Sequence, residues 1–313
     1  MTPVEPLRLL KLHGLGNDFL VLVDPDAATP IDAGLARRLC DRHTGVGADG
    51  LIRVTPAAAA PADHGADYGA DYGADYVMEL LNADGSRAET SGNGLRCLVL
   101  ALEVSGLLRR SELVVSTDAG PRRARISPVA GDGSAVVSVG MGEVHLGAEA
   151  AVLGHRARLV DVGNPHVVVL LDDLAEVDVE VHGPAEEARH PGGINVNFAA
   201  VGGDGSVRLR TWERGAGATL ACGSGSCATA AALRDWGMVG DVVEVDNPGG
   251  MVTVSFDGPE GPDGPEGPDG TARMVLTGPA QLIAAVEVPG LAAAVRASRG
   301  GPVGVGAGAA GAE

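Results

Sequence analysis

Two segments of the chain open in the same way. Ser91-Gly92-Asn93-Gly94 and Cys222-Gly223-Ser224-Gly225 each place two glycines behind a small side chain, and each leads into an apolar stretch of helical character, to about Val104 and Trp236. Glycine weakens a helix interior but suits a helix start, where the backbone turns and other groups come close. The first N–H groups of a helix lack intrahelical partners, and the aligned peptide dipoles add partial positive charge there. Each segment is therefore a candidate seat for a carboxylate or phosphate. Either one alone is a weak signal. Two copies in corresponding positions constrain the fold far more, because the chain then reads as two versions of one plan.

The flanking elements repeat as well. Strands Leu7–His13 and Phe19–Asp24 enclose Gly14-Leu15-Gly16-Asn17, and strands Arg158–Val162 and Val167–Leu171 enclose Gly163-Asn164-Pro165-His166. Asn17 precedes Ser91 by 74 residues and Asn164 precedes Cys222 by 58, most of the difference being an insertion at 65–76 that spells GADY three times. Its period of four is too short for a solenoid, so it is read as an expanded surface loop. The first half further predicts an amphipathic helix near Asp32–Arg42 and strands Val77–Leu81, Leu113–Ser116 and Ala135–Val139. The second predicts strand Val207–Trp212 running into Glu213-Arg214-Gly215, then strands Met251–Phe256 and Arg273–Leu276 around a Gly/Pro/acidic loop at 258–270. This gives an α/β chain of α+β character with two pseudo-symmetric lobes, 1–142 and 143–290, and a Gly/Ala-rich tail at 291–313 predicted to be disordered. A cleft between the lobes would bring the two helix starts face to face.

Composition narrows the chemistry. A net charge of -18 argues against nucleic acid and against an anionic membrane surface as partners. No apolar run approaches the roughly 18 residues of a membrane span, and Met1–Leu9 lacks the pattern of a secretory signal. The four cysteines, Cys40, Cys97, Cys222 and Cys227, form no CxxC pair, no zinc set and no disulfide framework, so reduced thiols in a cytoplasmic protein are expected. Lys11 is the only lysine, which leaves pyridoxal phosphate chemistry a single candidate in an N-terminal strand, and a nucleotide P-loop is absent.

Two helix starts converging on one carboxylate would stabilise the charge that builds when the neighbouring α-proton leaves. Inverting that carbon needs two acid/base groups on opposite faces. A thiol suits the task, with an ordinary pKa of about 8.5 that helix N-termini lower. Cys222 occupies such a position. Its counterpart is Ser91, which is also a favoured N-cap. Cys40, Cys97 and Cys227 read as core residues. Asn17, Asn82 and Asn164 stand beside turn residues and would on that ground alone be turn formers.

The ordered motifs His13-Gly-Leu-Gly-Asn17-Asp-Phe19, Gly45-Val-Gly-Ala-Asp-Gly50, Asn82-Ala-Asp-Gly-Ser86, Ser91-Gly-Asn-Gly94, Gly163-Asn-Pro-His166, Asn195-Val-Asn197 and Glu213-Arg-Gly215 with Cys222-Gly-Ser-Gly225 resemble those of diaminopimelate epimerases. The resemblance implies that each lobe is a mixed, mostly antiparallel sheet wrapped around a central helix. It also implies a cytoplasmic homodimer that needs no cofactor or metal and interconverts LL- and meso-diaminopimelate, in lysine and peptidoglycan precursor biosynthesis. Carried onto this chain, it makes Cys222 and Ser91 the catalytic positions. The substrate-binding set is Asn17, Asn82, Gly92, Asn93, Asn164, Asn195, Glu213, Arg214, Gly223 and Ser224. The backbone of Gly92, Asn93, Gly223 and Ser224 would hold the carboxylate beside the reacting carbon, and Asn82, Asn164, Asn195, Glu213 and Arg214 would read the distal amino-acid end. His166 would lie near the reacting groups as an accessory. The chain departs from the family pattern at Ser91, where a cysteine is expected, and at Ala218, where a glutamate is usual. Because a hydroxyl is a far weaker acid than a thiol, Ser91 leaves two alternatives open: a related hydroxyproline epimerase or dehydratase, and an amino-acid-binding paralogue without turnover.

Overall fold

The computed structural model describes residues 6–60, 73–88, 91–203, 205–256 and 273–289. In the first half β1 (Leu7–Gly14), β2 (Asn17–Val23), α1 (Ala33–Cys40), β3 (Gly50–Pro56), β4 (Tyr76–Asn82), α2 (Gly92–Val104), β5 (Glu112–Thr117), β6 (Gly120–Ile126) and β7 (Ser134–Glu143) follow in order. Successive strands pair antiparallel, parallel, antiparallel, parallel, antiparallel and antiparallel. The second half contains β8 (His145–Val152), β9 (His155–Asp161), β10 (Pro165–Leu171), α3 (Val179–Glu187), β11 (Asn195–Val201), β12 (Val207–Glu213), β13 (Gly217–Thr219), α4 (Gly223–Asp235), β14 (Val242–Asn247), β15 (Gly250–Phe256) and β16 (Arg273–Val288). From β9 onward, with the short β13 set aside, the pairings run through the same succession. The register makes the correspondence residue by residue. His166 faces Asn195 across a parallel pair as Phe19 faces Gly50, so Asn164 is the counterpart of Asn17.

The lobes share a strand. β16 pairs with β7 and with β1, closing the first lobe's sheet into a ring, and it pairs with β15 of the second lobe as well. The sequence boundary at 142/143 therefore divides the chain, yet the first ring is completed by residues from the chain's far end. The predicted strand Arg273–Leu276 is only the first part of this 16-residue element. The predicted helix near Asp32–Arg42 is shorter than expected: Asp32 lies outside it as the N-cap, accepting from the Leu35 N–H at 2.7 Å. Of the GADY run only Gly73–Tyr76 is described, and 258–270 and 291–313 lie outside the described residues.

Each lobe wraps around one helix. A helix that is apolar on every side must be enclosed, and α2 is buried from Gly92 through Leu102. α4 fills the same place with Cys227, Leu233 and, between them, four alanines and one threonine. Small side chains let the surrounding strands close in, which suits a chain with only 3% aromatic residues. The two helix starts meet at Leu276 of β16. A Cβ on Gly92 would lie 2.8 Å from Leu276 Cδ2, and one on Gly223 would lie 2.9 Å from the same atom. Both positions need glycine for this approach.

Leu276 is fully buried, so Leu276→Ala opens a cavity under both helix starts. The expected cost is about 2–5 kcal/mol, read as a lower urea midpoint at unchanged slope. A loss below roughly 1 kcal/mol would show that the two starts do not depend on this wedge.

Candidate active site

The two helix starts carry the same cap in two chemistries. Ser91 is extended, and its Oγ accepts from the Gly94 N–H at 3.0 Å. Cys222 is extended too, and its Sγ accepts from the Gly225 N–H at 3.2 Å. A Cβ on Gly223 would be 3.4 Å from the Gly92 Cα and 3.8 Å from the Asn93 N. The starts of the two helices are thus in close contact.

Asn93 fastens the lobes together there. Its Nδ2 donates to the Ala221 carbonyl at 2.9 Å, across the lobe boundary, and to Asn17 Oδ1 at 3.1 Å, while its Oδ1 accepts from Arg96 at 2.7 Å. Asn17 passes the chain on, donating to Asp49, which also receives Arg42. Arg96 is fully buried, and its hydrogen-bond acceptors are Asn93 Oδ1 and the carbonyls of Gly92 and Pro279. Burial lowers it to about 10, so it stays protonated at neutral pH behind the α2 start.

The thiol differs from expectation. The helix start was expected to lower Cys222, yet its pKa stands well above 9.0. Burial is the main cause, and the Glu213 carboxylate adds to it. Hydrogen bonds from Ser224 and the Gly225 N–H pull the other way and lose. Burial also raises Glu213, whose carboxyl accepts from Thr219 Oγ1 at 2.6 Å and is in hydrogen-bond contact with Cys222. The hairpin of β12 and β13 makes this possible by pairing Glu213 with Gly217. Glu213 is therefore at the thiol, whereas the sequence reading put it at the distal end. Burial raises Cys97 and Cys227 to about 12, and all four cysteines are unpaired.

The remaining site residues fall into two groups. Asn195 is buried, donates to the Pro165 carbonyl at 2.9 Å and accepts from the Arg214 N–H at 3.0 Å, so its amide holds backbone. The Arg214 guanidinium stays exposed beyond it. His166 is fully buried between Asn164 and Asn197, 3.0 Å from each. Asn82, in contrast, is exposed at the end of β4, where its amide donates to Ser86 Oγ. Asp49, Arg96, Asn197 and Thr219 were not singled out from sequence, although the first three stand inside or beside motifs that were. A cavity of about 700 Å³ opens elsewhere along the seam, lined by Arg122, Glu143, Asp161 and Arg273 among others, and neither cap residue lines it.

The diaminopimelate epimerase family model matches residues 9–147 and 158–282. That covers both lobes and both caps. The chain belongs to the diaminopimelate epimerase family. Among curated relatives, the diaminopimelate epimerase of Mycolicibacterium smegmatis is 42% identical over 262 residues, covering 78% of this chain and 88% of its own. That of Mycobacterium tuberculosis is 42% identical over 257 residues, covering 78% and 89%. Among solved structures, a hydroxyproline epimerase from Agrobacterium vitis aligns with a TM-score of 0.62 over 91% of this chain and 93% of its own, at 21% identity, a likeness of fold. Membership makes the protein an isomerase of the epimerase type.

Asn93→Ala removes three hydrogen bonds, two of them buried, and leaves the Arg96 guanidinium short of an acceptor. Unfolding free energy is expected to fall by about 2–4 kcal/mol. An unchanged melting temperature would mean that Asn93 does not help to hold the lobes together.

Proposed function

We propose that this protein interconverts LL- and meso-diaminopimelate by removing and returning the proton at one α-carbon. The observation that carries the reading is Cys222 paired with Glu213 at one of two converging helix starts. Substrate lays its reacting carboxylate among the N–H groups of Gly92, Asn93, Gly223 and Ser224, with Arg214 clamping the distal carboxylate and Asn17, Asn82 and Asn164 around the amino groups. Glu213 takes the thiol proton as the sulfur takes the α-proton, so one S–H bond breaks and another forms. The electron pair of the broken C–H bond flows into the carboxylate, where the two helix starts meet the growing charge. On the opposite face a water hydrogen-bonded to Ser91 delivers the new proton, and solvent replaces it. In the reverse direction Cys222 is the donor.

The mycobacterial relatives support diaminopimelate as substrate, and with it a place in lysine and peptidoglycan precursor biosynthesis. We further propose a cytoplasmic homodimer that works without a cofactor, the two lobes 1–142 and 143–290 closing on substrate. Neither nucleic acid nor membrane is a partner in this reading, in keeping with the net charge of -18. Among the described residues no helix is long and apolar enough to cross a membrane.

Incubation with each isomer in D₂O tests the reaction. Interconversion with α-deuteration from both isomers is expected, and no exchange from either would overturn the assignment. Cys222→Ala is expected to lower turnover on the order of 10²–10⁴-fold, whereas Ser91→Cys should raise kcat with little change in KM. A loss on Ser91→Cys would show that the serine is not the limiting group.

The pH dependence has a definite sign. A protonated Glu213 cannot take the thiol proton, so kcat/KM falls as pH drops through its pKa. That limb should lie above 4.5, the ordinary carboxyl value, and vanish in Glu213→Gln. A limb at or below 4.5 would contradict the pairing.

A further inference from the structure

In the second lobe three buried polar side chains stand where the first lobe is apolar. Asn197 faces Thr211 across β11 and β12, at the register positions where Ile52 faces Leu80 across β3 and β4. His166 holds the position of Phe19. The fold is therefore built without this trio in one lobe. Buried polar groups cost stability unless paired, so their presence in the other lobe asks for a use.

Their hydrogen bonds fix one another in sequence. Asn197 Nδ2 lies 3.3 Å from the Val167 carbonyl, which can only accept, so the amide orientation is determined. Asn197 Oδ1 accordingly accepts from Thr211 Oγ1 at 3.2 Å. The same Nδ2 is 3.0 Å from His166 Nδ1, and a donor there requires that Nδ1 carry a lone pair. The remaining ring proton is then on Nε2, which donates to Asn164 Oδ1 at 3.0 Å. With its oxygen so engaged, Asn164 has its Nδ2 left as a donor. In the first lobe the counterpart Asn17 is oriented differently, by Asn93 and Asp49.

We propose that Thr211 and Asn197 form a buried relay that locks His166 as the neutral Nε2–H imidazole, making it a positioning residue that aims the Asn164 amide at substrate rather than a proton-transfer group. The part concerning substrate rests on the reading that Asn164 meets diaminopimelate. Charge and burial agree with the geometry. Burial first, then the positive charge of Arg214, hold the ring at about 3, so it stays neutral throughout the physiological range.

The test is long-range proton–nitrogen NMR on substrate-free protein labelled with ¹⁵N-histidine, His166 being assigned by its absence in His166→Gln. A bare Nδ1 and a protonated Nε2, unchanged from pH 5 to 8, are expected. Asn197→Asp replaces the donor with acceptors, so His166 should take a proton on Nδ1 and titrate within that range. In turnover of diaminopimelate, misaiming Asn164 in Asn197→Asp should cost about 10²-fold in kcat/KM. His166→Gln, which keeps an N–H donor for Asn164, should stay within about tenfold of the parent, where loss of a proton-transfer group costs about 10²–10⁴-fold. Thr211→Val, a near-isosteric change, should leave the fold intact and loosen the Asn197 amide, giving an intermediate loss. An Nδ1–H ring, or His166 titrating between pH 5 and 8 in the parent, overturns the inference and leaves the epimerase reading standing. A His166→Gln variant as inactive as Cys222→Ala also overturns it. Because the ring's protonation is read without substrate, failure of the diaminopimelate reading itself would appear separately, as absent turnover with the expected NMR pattern.

Discussion

Two helix N-termini in contact form an electrostatically awkward arrangement, and much else in this protein serves to hold it. Each start carries unpaired N–H groups and the positive end of a dipole. Leu276 wedges beneath both, two glycines let the backbones approach it, and Asn93 ties one start to the other lobe through the Ala221 carbonyl. Arg96 adds a full positive charge just behind, buried and without a carboxylate among its hydrogen-bond acceptors. The contact between the two starts is thus a concentration of positive potential in a place of low dielectric. In the proposed reaction a carboxylate relieves it, and one that gains charge as its α-proton departs relieves it more. The folding energy stored in the shared core is what keeps these like-signed ends together.

The pseudo-symmetry is close in backbone and broken in chemistry. The topology presents Ser91 and Cys222 as equivalents, and each caps its helix in the same way. Around them the lobes diverge. The thiol has Glu213 from the β12–β13 hairpin, whereas the end of β4 offers the exposed Asn82 at the corresponding place. The first lobe packs Phe19, Ile52 and Leu80 where the second buries His166, Asn197 and Thr211. One side pairs a buried thiol with a carboxylate, and the other presents the Ser91 hydroxyl that caps its helix.

Local chemistry made the caps legible in the sequence, along with the turns at Asn17 and Asn164 and the central helices, because each is set within a few residues of chain. Elements that depend on distant partners were not legible. α3 contains Gly183-Pro184, a pair that reads as a break, yet Gly183 is where Trp212 packs flush, 2.5 Å from where a Cβ would stand. β8 is exposed along nearly its whole length and shows no alternation, and it is a strand because β9 pairs with it. The second half of β16 exists because β1 needs a neighbour. In the site, the expected lowering of Cys222 failed because burial and a carboxylate nine residues upstream outweigh a helix end. Asn197 was within a quoted motif, but its value lies in Thr211 and His166, which only the folded register brings beside it.

In the proposed reaction both helix starts bind one carboxylate, with Cys222 and Ser91 on opposite faces of the carbon beside it. A crystal structure with an unreactive diaminopimelate analogue tests this most directly. A carboxylate is expected within hydrogen-bond distance of N–H groups from both α2 and α4, with the Cys222 sulfur on one side of the α-carbon and the Ser91 hydroxyl, directly or through one water, on the other. A carboxylate held by one helix alone, or an α-carbon with both side chains on the same face, would contradict it.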